Sequence, residues 1–385
     1  MAKNFNMEMN IAKAIGIIAI VKGHTNFYNL FSNNLFPSYS WHVPLFFFIS
    51  GYFFRNEIFE YGNRLQKYLS KIKHIIIRYF GRFYAYHFLY SIITLIVYLL
   101  FDRVYGKLPT LVNLTLWPFV ANPFHFSAPN WFLFQLGFSL VFFYLILIIA
   151  SKINKNPLFP LVVFLPLAIS AIFLAKPDLQ ASTGFIKILI KTNISMFYIY
   201  SGYLYKNVLE DKIKFDIKTL LFVLGIQVIL YTFLQKGINV DLNQAILPHN
   251  IAPLIAPFTG IYCILFLSKL VAPLVKPGTL IDRIGKNTLH IMANHLFIIF
   301  LIEIGILVID GKSLQELPQY LIHSFYKMGK YKYLYTFLSV IICTYLGETL
   351  RHIGKITKNK IESIKNRKTF IQRPSGQPND APAAP

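Results

Sequence analysis

The stretch NIAKAIGIIAIVKGHT, residues 10–25, carries the first side chains in the chain that could do chemistry. Lys13 and His24 stand eleven positions apart. At 3.6 residues per turn this is almost three helical turns, so both lie on one stripe, roughly 16 Å apart along the axis. Asn10 precedes Lys13 by one turn on nearly the same face. An ionisable group near the centre of a bilayer costs about 2.5–3.5 kcal/mol on insertion scales, which makes an aligned lysine and histidine a candidate site. Imidazole takes and gives a proton near neutral pH, as a general base must. Lys22 is read as snorkelling or packed in the bundle and is given no role.

A second stretch, SWHVPLFFFISGYFF at 40–54, opens with Trp41 and His42, holds Pro44 and carries Ser50-Gly51 before its end. A plain membrane anchor needs none of these. Only a short connection separates the two stretches, so chain order lets His42 approach His24 from a neighbouring helix. Two histidines near a cavity mouth suit proton abstraction from a hydroxyl. The simpler alternative for His42 is an interfacial residue in an aromatic belt.

The elements that position these groups follow from composition. The chain is 55% hydrophobic and 14% charged, against roughly a quarter charged in soluble domains. Apolar runs recur along it, with no polar stretch long enough for a soluble domain. An all-α, polytopic integral membrane bundle of about ten transmembrane helices is expected. The expected spans are 10–30, 40–55, 82–101, 131–150, 157–175, 184–205, 217–234, 251–272, 288–309 and 333–350. The second is short, and its Pro44 and Gly51 are tolerable where neighbouring helices cover the freed backbone. Lys and Arg concentrate in alternate connections: Arg55 to Arg78, Lys152 and Lys155, Lys206 to Lys218, Lys269 to Lys286, and the tail from Arg351. This alternation predicts both termini in the cytoplasm. Lys327, Lys330 and Lys332 depart from it.

The net charge of +22 is thus mainly a topology signal, with a share left for anionic lipid or an anionic ligand. Spread over several loops, it argues against nucleic acid. The polar first ten residues, followed by an apolar run with internal lysines and no small-residue cleavage site, give no cleavable signal peptide. Cys263 and Cys343 lie in apolar runs and read as buried thiols, not as a disulfide or a metal site. Residues 1–350 form the membrane domain, and 351–385 a basic, then disordered, cytoplasmic tail.

With two later segments, these motifs resemble the acyltransferase-3 family of integral membrane O-acyltransferases. In that family an acidic residue, a basic residue and an apolar run ending in Gly-His make up the first span. Here Lys13 is similar to the basic residue, and Gly23-His24 to the ending. WHVPLFFFISGYFF resembles the second-span motif. NWFLFQLG at 130–137 and IGKNTLHIMANHLFI at 284–298, ending near His295, resemble the later ones. The likeness runs from about residue 5 to 355 and is nearest to the sugar-acetylating branch. Asn10 departs from it, since the family often has Asp there. Glu8, two positions away, is on another face.

The resemblance implies acyl transfer from acetyl-CoA to a hydroxyl of an envelope carbohydrate or lipid-linked glycan. His24 would be catalytic, supported by Lys13 and Asn10, with no permanently bound cofactor. A bacterial cytoplasmic membrane is the implied location. An alcohol attacks a thioester well only as a base removes its proton. His24 is the best-placed base, and an acetyl-imidazole on the same residue is the alternative. Ser50, Asn287 and the backbone near Gly51 are candidate donors to the oxyanion. KIKHIIIRYFGRF at 71–83 supplies Lys71, Lys73, Arg78 and Arg82 for the phosphates of CoA. Arg78 and Arg82 share a helix face. On the acceptor side stand His42, Ser50, Trp131, Asn287, His295 and Glu303. A glycolipid transporter or flippase is the competing function. It would be expected to show internal repeats, and no second copy of the Gly-His or His-Val-Pro segments is found.

Overall fold

The computed structural model describes residues 6–25, 37–54, 65–101, 110, 115, 125–176, 184–234, 238–317 and 325–371. Helices stand at every position where a span is expected. They are α1 (Met7–His24), α2 (Ser38–Tyr52), α3 (Leu65–Phe101), α4 (Trp131–Ile153), α5 (Leu161–Leu174), α6 (Gly184–Leu204), α7 (Ile217–Leu234), α8 (Ala252–Val271), α9 (Leu280–Ile309), α10 (Met328–Tyr333) and α11 (Ser339–Ile371). A 3-10 turn, His125–Asn130, leads into α4. Two π-helical turns interrupt the regular ladder, Tyr205–Leu209 after α6 and Leu334–Leu338 between α10 and α11. Among the described residues no strand forms, and one isolated bridge joins Asp241 to Ile246.

Six of these segments are long and apolar enough to cross a membrane: Gln66–Leu100, Phe126–Ile153, Ile217–Leu234, Ala252–Leu274, Leu280–Ile309 and Gly329–Thr357. The protein is an all-helical integral membrane protein. The other expected spans are shorter or less apolar. α2 has 15 residues and α5 has 14, while α1 and α6 carry lysines within their length.

Three helices begin or end well beyond their expected bounds. α3 starts at Leu65 and α9 at Leu280, with polar first turns that read as loop in the sequence. α11 continues to Ile371, so the basic part of the tail is helical. Residues 372–385, expected to be disordered, lie outside the described residues, as do Arg55 and Arg64 of the alternating basic connections.

α1 is the axis of the fold. It packs against α2, α8 and α9, and it buries most of its length, polar Asn10 included. α2 lies along α6 so closely that two glycines are required. A Cβ on Gly51 would sit 1.8 Å from the Ile199 carbonyl oxygen, and one on Gly202 would sit 1.8 Å from that of Phe48. Close backbone approach of this kind takes the place of a hydrophobic driving force between helices in lipid. At the periphery α7 exposes Leu221, Phe222, Ile229 and Phe233, the surface a lipid-facing helix needs.

Candidate active site

α1, α3 and α9 start at the same end of the bundle, where α2 finishes. There they enclose a cavity of about 620 Å³. Its lining carries Lys13 of α1, Lys71, Arg78 and Arg82 of α3, Lys286 of α9 and Arg351 of α11, joined by His74 and His290. No carboxylate lines it among the described residues. Lys71, His74, Arg78 and Arg82 recur at three- and four-residue steps and so present one helical face. Lys73 falls on the opposite face and is exposed outside the cavity. The remaining wall is mostly apolar, with Ile49, Phe53, Leu136 and Leu140 among its members.

The cavity climbs along α9 as far as Met292 and along α4 to Phe132. Phe132 packs edge-on against Phe46 and Phe47, near the middle of α2. One turn beyond Met292 stands His295, fully buried, with its ring centroid 5.1 Å from that of His24. His295 Nδ1 lies 3.0 Å from the carbonyl oxygens of Ile291 and Met292. Carbonyls only accept, so Nδ1 carries the proton and Nε2 presents a lone pair. That Nε2 is buried without a hydrogen-bond partner. His24 is half-buried at the last residue of α1. The next residue, Thr25, meets Thr336 of the second π turn through their hydroxyls at 2.5 Å.

The imidazole that reaches His24 is therefore that of His295. The rings beside His42 are Tyr39 and Trp41, and its Nδ1 bonds the Ser38 carbonyl. Ser50 lines the basic cavity instead of standing with His42, and its hydroxyl donates to the Phe46 carbonyl at 2.7 Å. Asn287 is buried at the same end, its amide donating to the Arg283 carbonyl at 2.8 Å. Each thus gives one donor to its own helix. Trp131 is half-buried, with Lys191 Nζ 5.0 Å from its ring centre. Glu303 is fully buried, and one carboxylate oxygen accepts the Tyr326 N–H at 2.6 Å.

Asn10 finds an acidic partner on α9. Its amide donates to the Asp282 carboxylate and to the Asp282 carbonyl, each at 2.9 Å. Glu8 turns away to Lys269, 3.7 Å distant. Sequence reasoning left His74, Lys286, His290 and Arg351 without a role. Lys286 and His290 lie inside the IGKNTLH motif, four and eight residues after Asp282, and that spacing was the available signal. Tyr86 fixes His290 through a 2.8 Å contact of its hydroxyl with Nδ1. Arg351 is one turn past Gly347, on a helix anchored by the Arg283–Glu348 ion pair at 3.0 Å.

Among the described residues, the helical bundle thus encloses a cationic cavity that leads towards a histidine pair. Residues 6–347 match the family model of the acyltransferase-3 domain, described as an acyltransferase domain. The chain belongs to that family. No curated protein and no solved structure matches it.

Proposed function

We propose that the protein moves an acetyl group from acetyl-CoA to a hydroxyl of an envelope carbohydrate or lipid-linked glycan. In this reading it sits in the cytoplasmic membrane, crosses it ten times and keeps both termini inside. The observation that carries the reading is the run of six lysines and arginines lining a cavity that rises to within one turn of the His24–His295 pair.

Phosphate groups suit such a cavity. Arginine forks take phosphate oxygens two at a time, and lysines add point charge. Arg78, Arg82, Lys71 and Arg351 would hold the nucleotide end of the donor at the open mouth. The apolar wall of Ile49, Phe53, Leu136 and Leu140 then suits the uncharged pantetheine arm, whose thioester points up towards His24. The acceptor enters from the opposite end, past His42 and Trp131. His24 draws the proton from the acceptor hydroxyl as its oxygen attacks the thioester carbonyl. The tetrahedral intermediate collapses, the carbon–sulfur bond breaks, and CoA leaves as thiolate with the proton passing to it. His295, with Nδ1–H committed to two carbonyls, offers Nε2 as a proton acceptor beside His24.

The test is mass spectrometry of envelope glycans from cells expressing wild type, His24→Ala or neither. A base-labile acetyl ester found with wild type alone supports the reading. An ester found equally with His24→Ala removes His24 from the chemistry, and none with any strain at full expression removes the proposed acceptor class.

A further inference from the structure

Asp282 sits in the first turn of α9 and is fully buried. A buried carboxylate is tolerated only when it is paired and hydrogen-bonded. Asp282 meets both conditions, with partners on different elements. One oxygen accepts the Asn10 amide from α1 at 2.9 Å. The other accepts Lys286 Nζ and the Gly278 N–H, each at 2.6 Å. Gly285 makes the approach of α1 feasible, since a Cβ there would come within 2.2 Å of the Asn10 carbonyl oxygen.

Lys286 is the partner with a second task, because it also lines the basic cavity. A lysine is a point charge on a flexible stem. Its ammonium is held by Asp282 at 2.6 Å, and the stem is thereby confined to the cavity edge. Asn10 fixes the same carboxylate from α1, one turn before Lys13, which lines the cavity as well. A single buried charge thus sets the placement of two cationic walls, one directly and one through helix register.

We propose that Asp282 is a positioning residue for donor binding, acting through Lys286. The proposal rests on the acetyl-CoA reading above. The contact with Gly278 also makes Asp282 a cap for the start of α9. Loss of stability alone would therefore not distinguish the two roles.

The discriminating experiment is a double-mutant cycle on the purified full-length protein in detergent, with CoA as the probe and its thermal stabilisation read as affinity. Asp282→Asn and Lys286→Met are each expected to weaken CoA about tenfold. The double variant is expected to bind no more weakly than Lys286→Met alone, because the effect of one passes through the other. Asp282→Asn combined with Arg78→Ala should instead multiply the two losses. If Asp282→Asn lowers the melting temperature but binds CoA like wild type, or if its loss multiplies with that of Lys286→Met, the proposal is overturned and Asp282 is a helix cap. If Asp282→Asn does not fold, Asp282→Glu runs the same cycle with the charge kept and moved by one methylene. A wild type blind to CoA overturns the donor reading and this inference with it, whereas a responsive wild type with an indifferent Asp282→Asn overturns only the inference.

Discussion

The two ends of the bundle hold their polar groups in opposite ways. At the end where α1 begins, cations line a wide cavity and most of them keep contact with solvent: Lys71, Arg78, Arg82 and Arg351 are all half-buried or exposed. Towards the other end the polar groups are more enclosed, although His24 is only half-buried. His295 and Glu303 are fully buried, and His42 is nearly so. An open cationic cavity selects a ligand by charge and tolerates variation in where each charge sits. A sealed imidazole with its tautomer fixed by two carbonyls works only in one geometry. In the proposed reading this difference separates binding from reaction along the length of α9, and variants at the two ends should fail in different ways.

The largest effect is expected at the sealed end. His24→Ala or His295→Gln should lower kcat by about 10²–10⁴-fold, the usual worth of a positioned acid or base, with CoA affinity unchanged. Equal loss of affinity and rate would erase the division of labour. Next comes the seam between α1 and α9. Asn10→Asp would place a second carboxylate against Asp282 in a fully buried position, and should cost about 3 kcal/mol of stability, seen as a lowered melting temperature. At the open end, Arg78→Ala or Arg82→Ala should each raise the KM for acetyl-CoA about tenfold and leave kcat nearly unchanged, measured in a donor titration. Greater ionic strength should weaken donor binding in the same direction.

The smallest effect concerns the turn after α9. Asp310 accepts from Lys327 at 2.8 Å, and that contact holds its carboxyl below the ordinary range. A depressed carboxyl stabilises the fold above its ordinary value, and the contribution fades as pH falls through the lowered one. Asp310→Asn should therefore melt slightly below wild type at neutral pH and level with it in strong acid.

Much of this arrangement is legible in the sequence, and the limits have physical causes. Lys13 and His24 share a stripe because helical period fixes it, and the same period puts Arg78 and Arg82 on one face. The period also excludes Lys73, which faces away from Lys71 and Arg78, yet composition alone groups it with them. The pairing of His24 with His295 joins residues far apart in the chain, so no local pattern announces it. Proximity in sequence favoured His42 instead. The early start of α9 was hidden because IDRIGKNT reads as a polar loop, although Thr279 and Asp282 stand where a helix start places them. Asn10 looked like a lost acidic group. Its amide in fact serves a carboxylate that arrives from α9, a relation that needs three dimensions to see.

The length of α9 has a consequence for how two substrates use the protein. The helix runs unbroken through thirty residues, with Lys286 and His290 facing the cavity and His295 beside His24. An unbroken helix tends to move as one piece, so a shift that tightens the cavity around a donor also displaces the imidazole about two and a half turns past Lys286. Linkage then works in both directions. Whatever factor donor binding applies to acceptor affinity, acceptor binding must apply to donor affinity. In the proposed reading, with donor and acceptor arriving from opposite ends, cooperation between them would be carried by this one helix.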